Sequence, residues 1–294
     1  MVDLMNWYKQ LVDNPNTITK PLLIAEIGIN HNGDLDLAKQ IIDIAYESGC
    51  DFVKFQKRNP DVCVPQKIRN NLRDTPWGVI TYLEYKKKIE FGLNEYIEID
   101  KYCKNKGIEW SASAWDLESQ DFINKFKVPF NKVASAMNTN LDFIEKVAKE
   151  GKLTFLSTGM STLDDVKNSV DIFRSYNCPL ILLHTVSTYP AKDEDLNLAV
   201  MKTLRTSFNL PVGYSGHESS VSPSVAAAAL GAVVIERHIT ISRTMWGTDQ
   251  AASLEANGLA QLAQILKRIP KIIGSPEKKF IESEKKVASN LRYW

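Results

Sequence analysis

Eight short apolar runs recur along this chain, and a helix-like segment follows each of them. The runs cover residues 22–27, 51–56, 108–113, 131–135, 153–157, 180–186, 211–215 and 232–238. No other feature restricts the fold as much. Strands that are apolar on both faces belong to parallel sheets covered by helices. Strict alternation of strand and helix is the signature of an α/β architecture, and a count of eight favours closure into a (β/α)8 TIM barrel.

The intervening segments support that reading. They span 35–48, 94–105, 117–126, 141–149, 163–176, 197–208, 222–230 and 258–272. In the first, Leu35, Leu37, Ile41, Ile42, Ile44 and Ala45 fall close to helical spacing, and Gly49 follows as a stop signal. Asp164 and Asp165 occupy the first turn of another, where the helix dipole favours acids. Residues 1–20 read as an N-terminal extension, 21–275 as the barrel, and 276–294 as a charged amphipathic helical tail suited to packing or oligomer contact. One connection, 57–91, is far longer than the few residues usual between barrel elements. It carries Pro60, Pro65, Pro76 and the basic run Lys86-Lys87-Lys88, and reads as an irregular lid or substrate-contacting arm at the mouth.

Composition removes several function classes. A length of 294 residues suits one barrel of about 250 residues with extensions. A net charge of +1 leaves no strong field to draw nucleic acid or an anionic membrane. The longest apolar stretch, 225–235, falls short of the ~20 residues that a membrane helix needs. Residues 1–20 lack the apolar core of a secretory signal. Cys50, Cys63, Cys103 and Cys178 are scattered, as expected of free thiols in a reducing compartment. The expected location is cytoplasmic.

The chemistry sits at the run ends. Glu26, Lys54, Gln56, Ser113, Lys132, Ser135, Ser187, Tyr189, Ser215, His217, Glu236 and His238 all lie at or just beyond C-terminal ends. In a closed barrel those ends form a single mouth, where the active sites of such barrels lie. His217 and His238 end neighbouring strands. Such a pair either holds one divalent metal with positions left open or consists of two hydrogen-bonded structural residues. The nearness of Glu26, Glu236 and Asp249 favours the metal. Lys54 and Lys132 fall inside apolar strands, where an unpaired ammonium is costly. An anionic ligand resolves that cost, and a Schiff-base lysine is the rival use. Hydroxyls at Ser135, Ser187 and Ser215 suit phosphate or carboxylate. His184 reads as a satisfied core residue, His31 as either a loop organiser or a substrate contact, and Tyr214 and Trp246 as pocket walls.

These residues resemble a known family. Ile24-Ala25-Glu26-Ile27-Gly28-Ile29-Asn30-His31-Asn32-Gly33 looks like the opening signature of the sialic acid synthase (N-acetylneuraminate synthase) family. The likeness continues through Val53-Lys54-Phe55-Gln56, Leu156-Ser157-Thr158-Gly159-Met160 and Ser187-Thr188-Tyr189-Pro190. It also takes in Gly213-Tyr214-Ser215-Gly216-His217, Glu236-Arg237-His238-Ile239-Thr240 and Gly247-Thr248-Asp249-Gln250. It covers about residues 20–292.

The resemblance implies an enzyme that condenses phosphoenolpyruvate with an aldose, N-acylmannosamine-like or related, to a 3-deoxy-2-ulosonic acid with release of phosphate. Lys54, Lys132, Ser135, Ser187, Ser215 and Ser113 would surround phosphoenolpyruvate, with Ser187 in place of an asparagine and Ser113 in place of a threonine. His217 and His238 would hold a divalent metal, manganese by family precedent, with magnesium or cobalt as alternatives. Glu26, Gln56, Asp249 and Glu236 are the expected catalytic residues, and Tyr189, Met137 and Asp249 the expected aldose contacts. Met137 stands where the family commonly has a glutamate that reads sugar hydroxyls, which implies a different aldose or pose. The resemblance covers only the catalytic barrel, without the antifreeze-like domain of full-length members, and it implies a homodimer. Two rival readings are a Schiff-base pyruvate aldolase using Lys132 or Lys54, and a non-catalytic sugar-acid binding barrel.

Overall fold

The computed structural model describes residues 2–15 and 17–294. Along the chain come α1 (Leu4–Asp13), β1 (Leu22–Gly28), α2 (Leu35–Ser48), β2 (Phe52–Lys57) and α3 (Pro60–Cys63). There follow β3 (Leu72–Thr75), β4 (Gly78–Thr81), α4 (Tyr82–Ile89), α5 (Leu93–Lys106), β5 (Glu109–Ala114) and α6 (Leu117–Asn124). Next are β6 (Asn131–Val133), α7 (Leu141–Ala148), β7 (Thr154–Ser157), α8 (Leu163–Ser175), β8 (Leu180–Thr185) and α9 (Val200–Phe208). The last are β9 (Val212–Gly216), α10 (Ser222–Ala229), β10 (Val234–His238), α11 (Ala256–Ile273) and α12 (Glu282–Leu291).

Eight of these strands pair in parallel in the order β1-β2-β5-β6-β7-β8-β9-β10, and β10 pairs back onto β1 to close the barrel. The expected (β/α)8 architecture is present, with strand ends displaced by a residue or two from the sequence reading. Local signals account for the helices. Asp34 caps α2 by accepting from Leu37 N, and Gly49 ends it in the left-handed region at φ 85°. Thr162 and Asp165 form a reciprocal capping box on α8.

Alternation along each strand divides the interior into two layers, because residues two apart face the same side. The inward face of β1 reads Leu22, Ile24, Glu26; that of β2 reads Phe52, Lys54, Gln56; that of β10 reads Val234, Glu236, His238. The lower layer is therefore apolar and joins Phe130, Phe155, Ile181 and Leu183. The upper layer is polar. Outward residues such as Ala25, Val53, Phe55 and Ile235 pack against the helices.

Two expectations change. The N-terminal extension carries a helix, α1, whose Leu4 and Leu11 join the lower barrel layer, with Trp7 and Tyr8 packed beside them. Each buried leucine contributes roughly 1.5–3 kcal/mol, so α1 is the floor of the barrel. The long connection after β2 is not irregular. It builds α3, the antiparallel β3–β4 hairpin and α4, and Tyr85 and Ile89 of α4 are buried against Ile29 and Trp246. The tail helix α12 forms as expected but buries none of its residues, so it does not pack onto the barrel.

Candidate active site

The polar upper layer encloses a cavity of about 160 Å³. At its base lie four buried charges. Lys54 pairs with Glu26, donates to Ser113 Oγ at 2.7 Å and lies 3.8 Å from Glu236 Oε2. Lys132 donates to Ser157 Oγ at 2.8 Å and to the Val133 carbonyl at 3.1 Å, and lies 3.7 Å from Glu236 Oε1. Register explains the convergence: Glu26 pairs with both Lys54 and His238, and Ser113 pairs with Lys132. Two cations and two carboxylates balance, which is how a buried quartet of charges is tolerated.

Burial is the largest influence on Lys132 and pushes its ammonium down to about 8, against the opposing pull of Glu236. For Glu236, burial acts upward, but Lys132 and Lys54 together outweigh it and hold the carboxyl below its ordinary range. Ser215 Oγ donates to Glu236 Oε1 at 2.9 Å, while Glu236 Oε2 is buried with no hydrogen-bond donor. Gln56 Nε2 donates to Glu26 Oε1 at 2.9 Å. Gly28, at φ 56°, passes so close that a Cβ there would stand 3.1 Å from both Gln56 Nε2 and His238 Cε1. Glycine is needed at that position for conformation and for space.

Hydroxyls form one wall. Ser135 Oγ accepts from Gly159 N at 3.1 Å. A Cβ on Gly159 would stand 2.4 Å from Ser187 Oγ and 2.8 Å from Ser135 Oγ. The bare glycine thus leaves a small cradle under two hydroxyls and one amide.

Opposite lie the histidines, with ring centroids 5.5 Å apart. His217 Nδ1 sits 2.6 Å from the Val186 carbonyl, so Nδ1 carries the hydrogen and Nε2 keeps its lone pair. That Nε2 accepts from Tyr189 OH at 3.0 Å. Burial, and then His238, push His217 down to about 3, so its ring is neutral. His238 Nδ1 is buried without a hydrogen-bond partner, and Asp249 Oδ2 stands 3.9 Å from it. Pinning one ring nitrogen by a carbonyl while the other faces a cavity is the usual arrangement of a metal-ligating histidine. The donor set fits a divalent cation that takes two imidazoles here and oxygen from water or substrate. Among the described residues, no group of three or more His, Cys, Asp or Glu is arranged to hold a metal by itself.

Other expectations divide. Glu26, Lys54, Gln56, Ser113, Lys132, Ser135, Ser187, Tyr189, Ser215, His217, Glu236 and His238 all line the cavity. Met137 does not. It is buried beside a larger cavity of about 840 Å³, which adjoins the first along Trp115 and Ala136. Tyr214 is no pocket wall: its position on β9 faces outward, and its hydroxyl donates to Glu218 at 2.8 Å. Trp246 likewise lies outside, edge-on to Tyr85 and Trp77. His31 organises its loop, stacked on Phe91 at 3.9 Å and accepting from Gly33 N at 3.1 Å. His184 is a satisfied core residue, 2.6 Å from the Leu196 carbonyl.

Three contributors escaped the sequence reading. Ser157 holds Lys132. Arg58 stacks on Trp115 at 4.4 Å and donates to Gln56 Oε1. Arg237, fully buried on the outward face of β10, pairs with Glu218 at 2.8 Å and so ties the residue after His217 to the residue before His238. The signal for the last was the charge pattern Glu236-Arg237-His238 itself, since an arginine inside a buried strand demands a buried acid.

The chain is similar to several known proteins. The model of the NeuB family matches residues 41–278. Human N-acetylneuraminate-9-phosphate synthase is 40% identical over 89% of this chain and 74% of its own. N,N'-diacetyllegionaminic acid synthase of Campylobacter jejuni is 38% identical over 93% of this chain and 83% of its own. The solved N-acetylneuraminic acid synthetase of Leptospira borgpetersenii superposes with a TM-score of 0.80 at 31% identity, covering 93% of both chains. A 3-deoxy-D-arabino-heptulosonate 7-phosphate synthase from Thermotoga maritima, at 14% identity and a TM-score of 0.66, shares the fold.

Fold and matches together define a TIM-barrel enzyme that condenses phosphoenolpyruvate with a sugar. The chain belongs to the NeuB family of nonulosonic acid synthases. None of the helices in the described residues is long and apolar enough to cross a membrane.

Proposed function

We propose that this enzyme joins C3 of phosphoenolpyruvate to the aldehyde carbon of an open-chain, N-acylmannosamine-like aldose. The observation that carries this is one cavity holding two buried lysines, converging hydroxyls and a pair of imidazoles.

In this reading Lys54, Lys132, Ser113, Ser135, Ser187 and Ser215 hold the carboxylate and phosphate of phosphoenolpyruvate. Charged and hydroxyl donors fixed in a buried site steady charge as it develops, without reorganisation during the reaction. His217 and His238 would hold a divalent metal, manganese by family precedent, which when bound draws electron density from a carbonyl oxygen. Tyr189 and Asp249 flank the aldehyde end. C3 of the enol attacks the aldehyde carbon, forming the C–C bond, and the new alkoxide takes a proton from Asp249 or from water it orders. Water adds to C2 and gives up its proton to Glu26, whose orientation Gln56 fixes. Phosphate then leaves with the electron pair of the C2–O bond and takes up the proton of the new C2 hydroxyl, and the C2 ketone of a 3-deoxy-2-ulosonic acid results. The free thiols at Cys50, Cys63, Cys103 and Cys178 suit the cytoplasm.

Phosphoenolpyruvate carrying oxygen-18 in its bridging position tests the reaction. Label recovered in inorganic phosphate supports C–O cleavage; label retained in the sugar acid refutes it. The lowered Lys132 pKa also suits a Schiff-base aldolase. Borohydride with pyruvate traps a covalent adduct on Lys132 or Lys54 only in that second case.

A further inference from the structure

A cavity of about 840 Å³ opens beside the reaction site and is lined by Arg58, Tyr82, Lys86, Trp115, Asp116 and Met137. Two of its cations lack the acids that such residues normally find. Lys86 is buried on α4, yet no carboxylate or carbonyl among the described residues accepts from it; the rings of Tyr82 and Tyr85 face it at 5.4 and 5.0 Å, while Asp249 and Glu90 act on it without a hydrogen bond. Its sequence neighbour Lys87 points outward to Asp61 at 2.8 Å. Arg58 is also buried, and its Nε has no acceptor. Nearby Lys57, by contrast, is satisfied by Glu90 and the Phe91 carbonyl, both at 2.8 Å.

The cavity's acids do not supply the missing charge. Asp116 is engaged by Asn59 N, Ser119 N and Ser119 Oγ, each at 2.7 Å, and Glu118 by Asn59 Nδ2 at 2.9 Å. Burial and then the Arg58 charge push Lys86 down to about 8, an unfavourable state that a bound anion would relieve. This cavity communicates with the reaction site. Trp115 and Ala136 line both, and Arg58 donates to the same Gln56 that holds Glu26.

We propose that Arg58 and Lys86 form an anion subsite for the distal phosphate of a phosphorylated aldose, whose aldehyde end reaches the reaction cavity. This rests on the reading of the chain as an aldose-condensing enzyme and names the class of aldose. Phosphoenolpyruvate has its own cations in Lys54 and Lys132, so the second pair serves the other substrate. A sugar with a free terminal hydroxyl would leave both cations buried without an anion. A guanidinium and an ammonium supply charge-assisted hydrogen bonds to phosphate oxygens, among the strongest single contacts available.

Kinetics with N-acetylmannosamine and its 6-phosphate test the subsite. The 6-phosphate should show a KM lower by about tenfold or more, the worth of one or two charge-assisted hydrogen bonds. Lys86→Met should remove most of that preference while leaving KM for phosphoenolpyruvate and turnover of the unphosphorylated sugar unchanged; Lys86→Arg should restore it. Equal kcat/KM for the two sugars overturns the proposal, as does a Lys86→Met effect confined to phosphoenolpyruvate. If neither sugar consumes phosphoenolpyruvate, the N-acylmannosamine reading fails instead, and calorimetric titration with the 6-phosphate decides the subsite. Saturable binding that Lys86→Met abolishes supports it. Absent binding, or binding that is equal in wild type and variant, refutes it.

Discussion

Lys132→Met isolates the charge balance at the base of the cavity. In the native chain the ammonium lies 2.8 Å from Ser157 Oγ, 3.1 Å from the Val133 carbonyl and 3.7 Å from Glu236 Oε1. Methionine has nearly the same length and needs none of these partners. The substitution changes the quartet from neutral to a net charge of −1 and leaves Glu236 with Ser215 and the more distant Lys54. A hydrogen bond to a charged group is worth about 1.5–3 kcal/mol. Losing the lysine's contact with a phosphoenolpyruvate oxygen should therefore raise KM for that substrate roughly 10- to 150-fold, with further loss from the exposed negative charge of Glu236. The assay is release of inorganic phosphate at saturating aldose, beside a thermal melt to establish that the barrel is folded. Lys132→Met combined with Glu236→Gln restores neutrality. If KM stays high in the double variant, the lysine acts by direct contact; if it recovers, charge balance was the cause. A KM within about threefold of wild type in folded Lys132→Met would sink the assignment of this residue to phosphoenolpyruvate.

Other expectations follow from the same geometry. Because Lys132 is held down to about 8, its charge disappears as pH rises through that value, and KM for phosphoenolpyruvate should climb above it. The unfolded chain keeps that proton to 10.5, so this lysine's own contribution to stability grows, not falls, across the window; a flat KM profile from pH 7 to 9.5 would contradict the assignment. Arg237→Met strands the buried Glu218 carboxylate and should cost about 3–5 kcal/mol in urea denaturation; a loss below about 1 kcal/mol would show that the pair is not structural. Gly159→Ala should fill the cradle under Ser135 and Ser187, raising KM for phosphoenolpyruvate by on the order of tenfold with little change in melting temperature. An unchanged KM would place the phosphate elsewhere.

The barrel and its mouth were legible because one alternation writes both. Leu22, Ile24 and Glu26 share a face, as do Val234, Glu236 and His238, so the sequence displays the apolar layer and its polar rim together. Contacts between segments distant in sequence were harder to see. Arg58 reads as a surface charge until Trp115, brought beside it by the β2–β5 pairing, gives it a flat surface to stack on. Tyr214 lies next to Ser215 in sequence, and only strand pleat decides that it faces the helices instead of the cavity. The hairpin at β3–β4 was hidden because its residues are largely exposed and show no buried alternation. Its stability derives from α4, whose Tyr85 and Ile89 are buried.

The floor helix α1 also bears on how the chain is made. It is synthesised before every barrel strand, yet its apolar cluster includes Phe155, Ile181 and Val234, and β1 pairs with β10, the last of the barrel strands. This helix therefore has no complete seat until β10 has been translated. Closing loops of that length is entropically costly and slow. Leu4 and Leu11 must wait in an unfinished molecule, where exposed apolar surface invites association. The last of the barrel strands closes the sheet and completes the seat at its base.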